Sequence, residues 1–174
     1  SRLPSGAISP LVVETEEGIL VAVRVDGHRE QPADSVWTVP LAGGEPTNRL
    51  PGLNGVVQAI ARFPDRPGTI LARIVERTHG RIYAVDLLSG AMDLITPAPL
   101  AGHGSVIEGP SAASGGQLAF IWSDSTTPEE VHLSNAIGEV FPLTTFGAAF
   151  VGRLQPVEHV SWLSDDGIEI EGLL

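Results

Sequence analysis

The sequence contains no cysteine and no lysine. Without cysteine the chain has no disulfide framework and no thiolate metal site, which suits a reducing compartment, and we expect a cytoplasmic protein. The ten basic residues are all arginine, and the net charge is −11. Because basic side chains supply the phosphate contacts that bind nucleic acids and anionic lipids, we expect neither nucleic acid nor a membrane surface as a partner.

Long apolar runs and helical patterns are scarce in the 174 residues. No run approaches the ~20 apolar residues that a membrane-spanning helix needs. No segment keeps apolar residues at the i, i+3, i+4, i+7 spacing of a helix, whereas short apolar runs bounded by turn residues recur throughout. With 14 prolines and 20 glycines to mark the turns, the pattern predicts an all-β protein.

The short apolar runs form a repeat. Three of them each follow a turn glycine, and these glycines are 50 and 48 positions apart. In the runs that come next, Trp37, Tyr83 and His132 hold the same place, 46 and 49 positions apart. A period of about 40–50 residues built from short strands is typical of a β-propeller blade. The glycines and their runs are Gly18 with Ile19–Val25, Gly68 with Ile70–Glu76, and Gly116 with Leu118–Ser123.

The repeat predicts an all-β partial β-propeller with three four-stranded blades. We expect the blades at residues 8–50, 56–96 and 105–144, and at 156–174 a terminal half blade or a linker to another domain. Stacking of neighbouring blades would bury the second and third strands of each. Because a propeller closes with typically 4–8 blades, the expected partners include further blades of a larger parent protein.

Two segments near the end of the sequence resemble a known family. Phe120–Thr144 (FIWSDSTTPEEVHLSNAIGEVFPLT) is similar to the end of the propeller in prolyl oligopeptidase family serine peptidases, in particular the acylaminoacyl-peptidase and dipeptidyl-peptidase-like members. Asp166–Leu174 (DGIEIEGLL) resembles the segment with which that family leaves the propeller and enters an α/β-hydrolase domain. Two departures are His132, where an aromatic residue is usual, and the turn Ser114-Gly115-Gly116, where S-P-D-G is usual.

The resemblance implies a parent peptidase whose propeller admits small peptides to the hydrolase domain and keeps folded proteins out. The catalytic Ser-Asp-His triad would then follow Leu174, so we expect no catalytic residue in this chain. The nearest match to a G-x-S-x-G nucleophile elbow is Gly109-Pro110-Ser111-Ala112-Ala113, which lacks the final glycine and lies in a predicted strand. We therefore interpret Ser111 as a strand residue.

No metal or cofactor site is predicted. The histidines show neither H-x-x-x-H nor H-E-x-x-H spacing, which favours surface or strand positions over metal ligation, with a site assembled from distant blades as the alternative. The tryptophans do not repeat in register, which favours core packing over a sugar-binding platform. These residues are His28, His79, His103, His132 and His159, and Trp37, Trp122 and Trp162.

Glu108 and Glu158 are candidates for the substrate channel. They lie 50 positions apart, each near the start of a predicted first strand. By the family resemblance, the first strand of a blade lines the central channel of the propeller. Carboxylates there would attract the amino terminus of a peptide. The alternative is a pair of solvated carboxylates at the mouth of the channel.

Two other functions fit a β-propeller. A free-standing propeller of the Tol-type or PD40-like kind would bind a protein or peptide without catalysis. A glycan-processing propeller is disfavoured because the sequence lacks repeated Asp-box turns. In each case an open array of blades exposes apolar sheet faces and strand edges, so we expect the isolated chain to self-associate.

Overall fold

The computed structural model describes residues 7–25, 35–97, 100, 102, 104–136 and 138–174. In this part of the chain the strands form three four-stranded antiparallel sheets and one two-stranded sheet, and a short 3-10 helix lies at Ala148–Phe150. The predicted all-β partial β-propeller is thus confirmed. His28 and His103 lie outside the described residues.

Each four-stranded sheet is a meander in which consecutive strands pair. We name these sheets blades 1, 2 and 3, and the two-stranded sheet the C-terminal hairpin. Blade 1 contains β1 (Ala7–Thr15), β2 (Gly18–Val25), β3 (Ser35–Pro40) and β4 (Thr47–Asn48). Blade 2 contains β5 (Val56–Arg62), β6 (Thr69–Glu76), β7 (His79–Asp86) and β8 (Met92–Leu94). Blade 3 contains β9 (Val106–Ala112), β10 (Leu118–Ser123), β11 (Glu130–Ser134) and β12 (Val140–Pro142), and the C-terminal hairpin contains β13 (His159–Leu163) and β14 (Glu169–Leu173).

The repeat in the sequence is also a repeat of strand register. Trp37, Tyr83 and His132 hold the same position in the third strand of their blades, as predicted. Each is paired with one residue of the second strand and one of the fourth. The partners are Val23 and Asn48 for Trp37, Ala72 and Leu94 for Tyr83, and Phe120 and Pro142 for His132.

Blade 2 is buried on both faces. Side chains alternate between the two faces of a strand, so Ile70 and Ile74 of β6 face blade 1 while Leu71 faces blade 3. The predicted stacking of blades is therefore present. The layer between blades 1 and 2 contains Leu20, Ala22, Val36, Leu50, Val57, Ile70, Ala72, Ile74, Tyr83, Val85 and Leu87. The layer between blades 2 and 3 contains Leu71, Ile82, Leu100, Ile107, Leu118, Phe120 and Trp122.

The three tryptophans differ in their surroundings. Trp122 is buried between blades 2 and 3, as core packing predicts, and Trp37 is partly buried. For Trp162 the prediction is wrong, because half of this side chain is exposed. Its ring lies on the C-terminal hairpin beside Gly172, where a Cβ atom would come within 3.3 Å of Cζ3. The missing side chain of Gly172 therefore makes the room that the indole ring occupies.

The first strand of each blade contains a bulge at the same level. Its pairing with the second strand is irregular between Ile8 and Leu11 in blade 1 and between Val57 and Ala59 in blade 2. The corresponding irregularity in blade 3 lies between Glu108 and Ser111. An extra residue in one strand bends that strand and increases its twist. All three first strands thus change direction at one level of the array.

The bulge in blade 3 accounts for the elbow-like segment of the sequence. Gly109 has a φ of 55°, in the left-handed region that glycine enters without a steric penalty. Ser111 follows in β9 and is paired with Ala119 of β10. A nucleophile elbow requires a turn from a strand into a helix, so the interpretation of Ser111 as a strand residue is confirmed.

Truncation of Leu71 should test the stacking of blades 2 and 3. Leu71 is fully buried, and replacing it with alanine removes apolar contacts and leaves a cavity. We expect Leu71→Ala to lower the free energy of unfolding by about 2–5 kcal/mol in a denaturant titration. Leu94→Ala in the same blade is the control, because Leu94 is half-exposed and its loss should cost less than about 0.5 kcal/mol. Equal effects of the two substitutions would contradict the stacked arrangement.

Candidate functional site

Glu108, the first channel candidate, lies in β9 directly before the bulge. Its side chain is 52% exposed, and its Oε1 atom lies 3.6 Å from Nη2 of Arg73. Arg73 belongs to β6 of blade 2, so the ion pair joins two neighbouring blades. The carboxylate of Glu108 therefore faces solvent with a cation already beside it, which weakens its attraction for a peptide amine.

Arg73 holds the first strands of two blades together. Only 12% of its side chain is exposed. Its Nε donates a hydrogen bond to the carbonyl oxygen of Ile107, and its Nη1 donates to the side chain of Gln58 at the bulge of β5. Burial lowers the pKa of Arg73, and the charge of Glu108 opposes that shift. The guanidinium thus links β5, β6 and β9 at one point.

The same contact occurs one blade earlier. Arg24 of β2 donates a hydrogen bond from Nη1 to the carbonyl oxygen of Val57, at 3.3 Å. Arg24 precedes Arg73 by 49 positions, and Val57 precedes Ile107 by 50. We name this contact the arginine bridge: a second-strand arginine bound to the first-strand carbonyl of the following blade. Sequence reasoning missed it, although the spacing of the two arginines carries the period of the repeat.

Blade 3 has no arginine at the equivalent position. In blade 2 the bridging Arg73 directly follows Ala72, the second-strand partner of Tyr83. In blade 3 the residue that follows Phe120, the partner of His132, is Ile121. Its side chain is 37% exposed. The free face of blade 3 therefore presents an apolar group where the other two blades present a cation.

Glu158, the second channel candidate, lies apart from the arginine bridges. It is exposed and directly precedes β13. Its backbone nitrogen and oxygen form hydrogen bonds of 2.8 and 2.9 Å with the oxygen and nitrogen of Leu174, which extend the ladder of the C-terminal hairpin. Within the described residues no hydrogen bond or ion pair joins Glu158 to Glu108. A channel role for either carboxylate stays a prediction.

His132 has a structural environment in the core. The ring of His132 stacks with Phe120 at 6.1 Å and meets the edge of Trp122 at 5.4 Å, inside the layer between blades 2 and 3. Its Nδ1 lies 3.0 Å from the carbonyl oxygen of Glu130. The unusual histidine of the sequence thus takes the place of a packed aromatic ring. In the part of the chain that the structure describes, no three His, Asp or Glu side chains cluster as metal ligands.

The described segments contain no helix long and apolar enough to cross a membrane.

Removal of Arg73 should show what an arginine bridge contributes to stability. Arg73→Ala leaves the buried carbonyl of Ile107 without this donor, so we expect a loss of about 1.5–3 kcal/mol in the free energy of unfolding. Arg66→Ala is the control, because Arg66 is 49% exposed and pairs with Asp93 inside blade 2. That change should cost at most about 1 kcal/mol in the same denaturant titration. A smaller loss for Arg73→Ala than for Arg66→Ala would contradict a structural role of the bridge.

The chain is similar to known proteins in structure, whereas the comparisons of its sequence find no match. No protein-family model matches the sequence, and no curated protein does. The chain is similar to the acylaminoacyl peptidase of Pyrococcus horikoshii, with 20% identity and a TM-score of 0.61 over 95% of this chain and 25% of that one. For prolyl oligopeptidase B of Galerina marginata the identity is 14% and the TM-score 0.57, over 95% of this chain and 23% of the other.

A third solved structure extends the comparison. A post-proline cleaving enzyme from Rickettsia typhi has 14% identity and a TM-score of 0.57, over 98% of this chain and 26% of that one. The chain thus spans about a quarter of the length of these proteins. At such identities the similarity is one of fold. The chain has the β-propeller fold found in peptidases of the prolyl oligopeptidase and acylaminoacyl peptidase type.

Proposed function

We propose that the chain is part of the propeller of a serine peptidase of the prolyl oligopeptidase family. The observation that carries this proposal is the structural similarity over 95% of the chain to peptidases about four times as long. The sequence DGIEIEGLL at Asp166–Leu174 adds support, because it resembles the segment that enters the hydrolase domain of that family. The propeller would admit small peptides to the active site and exclude folded proteins.

The C-terminal hairpin supports a division of the chain into three blades and a segment that leads into a hydrolase domain. Its strands pair only with each other within the described residues, and no strand of blade 3 extends into them. We therefore assign residues 8–50, 56–96 and 105–144 to blades. Residues 156–174 are assigned to the segment that leads into a hydrolase domain, which would supply the catalytic triad. The parent would act in the cytoplasm.

The first strands of the blades are the parts that would meet a peptide. In such a propeller they would line the central channel, and Gln58 and Glu108 are exposed near the bulges. The partial neutralisation of Glu108 by Arg73 favours a polar wall over a strong anionic site. Selection by size, with weak attraction of the peptide, fits this wall better than tight binding of an amino terminus.

The coding sequence after Leu174 tests the proposal. We expect it to encode a G-x-S-x-G elbow followed by an aspartate and a histidine, in the order of α/β-hydrolases. A fluorophosphonate probe should label the protein that contains this region and leave the 174-residue chain unlabelled. Further blade repeats or a stop codon would overturn the proposal and favour a propeller that binds a protein or peptide without catalysis.

Self-association of the isolated chain should follow from its open faces. Ile121, Phe141 and Leu143 are exposed on blade 3, and Trp162 and Ile168 on the C-terminal hairpin. Exposed apolar groups of neighbouring strands favour contact with another chain. We expect light scattering to give a mass above the 18.2 kDa of one chain at micromolar concentration. A single species of monomer mass would contradict this expectation.

A further inference from the structure

We propose that Arg77 fixes the C-terminal hairpin to blade 2 through an ionic contact, and that loss of this contact frees the hairpin while the blades stay folded. We name the group formed by Arg77, Glu169, Glu171 and His159 the Arg77 clasp. It joins residues that are more than 80 positions apart in the sequence, and none of the sequence motifs points to it.

The clasp begins at the turn between β6 and β7. Arg77 has a φ of 52°, a left-handed conformation that is uncommon for residues other than glycine. Its Nη1 lies 3.1 Å from Oε2 of Glu169 and donates a hydrogen bond to Oε1 of Glu171. Both carboxylates belong to β14. They alternate along the strand with Ile170, so one face of the hairpin presents two negative charges to one arginine.

Glu171 is the central acceptor of the clasp. Its side chain is only 11% exposed, and its Oε2 lies 3.4 Å from Nε2 of His159 on the paired strand β13. The hydrogen bond from Arg77 is the main reason that the pKa of Glu171 lies below its usual value, and His159 adds to the shift. The carboxylates raise the pKa of Arg77 in return. The contact is therefore formed between charged groups.

The turn that carries Arg77 is itself held in place. The nitrogen of Gly104 donates to the carbonyl oxygen of Thr78, and the nitrogen of Gly80 donates to that of Ser105, each at 3.0 Å. These bonds tie the turn to the start of blade 3. A Cβ atom on Gly104 would come within 3.1 Å of Cδ1 of Leu173, so the hairpin also packs against this segment. The surface that receives the hairpin thus contains parts of two blades.

The two faces of the C-terminal hairpin differ in chemistry. Glu169, Glu171 and His159 lie on the face toward blade 2, whereas Trp162 and Ile170 are paired on the other face and remain exposed. The face toward blade 2 also carries Leu173, which packs near Gly104, so apolar packing accompanies the ionic contacts there.

Spin-label distances test the clasp in the 174-residue chain, which has no cysteine of its own. Labels on Asp165→Cys in the hairpin turn and Ser114→Cys in blade 3 lie on exposed residues of the two parts. The labelled chain is diluted with unlabelled chain, so that self-association adds no distances between labels. We expect a narrow distance distribution that broadens in Arg77→Gln. The matched control is Arg66→Gln, because the side chains of Arg66 and Arg77 are 49% and 47% exposed and both are paired with carboxylates.

Amide hydrogen exchange gives a second measurement and a check on folding. In Arg77→Gln we expect the amides of β13 and β14 to exchange about twofold to fivefold faster, with those of β6 and β10 unchanged. The double variant Arg77→Glu, Glu171→Arg should restore part of the protection. Unchanged distances and unchanged exchange in Arg77→Gln would overturn the clasp. Faster exchange of β6 and β10 as well would also overturn it, because the arginine would then stabilise the blades themselves.

The pH dependence of the distance distribution tests whether the ionised carboxylate of Glu171 holds the hairpin. A carboxylate with a lowered pKa stabilises the docked hairpin above its unfolded pKa of about 4.3, and this stabilisation is lost as the pH falls through the lower folded value. The charged groups around Glu171 are Arg77, Glu169 and His159, and protonation of His159 would strengthen its attraction to Glu171. We expect the distance distribution to broaden only below about pH 4. Broadening already above the unfolded pKa of glutamate would contradict a clasp based on the Arg77–Glu171 ion pair.

These measurements do not depend on a hydrolase domain. If Arg77→Gln changes nothing, the clasp is wrong and the proposed peptidase function is untouched. If the coding sequence after Leu174 lacks a hydrolase, the proposed function is wrong, and the clasp still describes how the hairpin is held.

Discussion

Burial of blade 2 on both faces is the constraint on which the rest of the structure depends. A single four-stranded sheet with apolar residues on both sides is not stable in water, because both of its apolar faces would be exposed to solvent. Blades 1 and 3 cover it, with Ile70 and Ile74 facing one neighbour and Leu71 the other.

The arginine bridges add direction to the stacking. The hydrophobic effect is non-directional, so burial alone prescribes no angle between two sheets. A hydrogen bond from a guanidinium to one carbonyl oxygen adds a directional contact. Arg24 and Arg73 thus tie the second strand of one blade to the first strand of the next, close to the bulges. Blade 3 has the exposed Ile121 at this position, so it has no arginine bridge on its outer side.

The sequence predicted the strands and their stacking better than the contacts between distant segments. Turn glycines and apolar runs recur with the period of a blade, and this periodicity was sufficient to place Trp37, Tyr83 and His132 in register. It could not give the exposure of Trp162, which lies on the face of the hairpin that points away from blade 2. Nor could it reveal the pairing of Arg73 with Glu108 or of Arg77 with Glu171, because arginine and glutamate are common on strand surfaces and their partners are chosen by the fold.

The arginine bridge also makes the two faces of a blade unlike. One face donates from an arginine, and the other accepts at a backbone carbonyl, so the contact is heterologous, like the head-to-tail contact between subunits of a ring. Such a contact has polarity, because two blades that met with like faces could not form it. Blade 3 has Ile121 in place of the donor arginine. Its outer face therefore lacks the donor that the two preceding interfaces use.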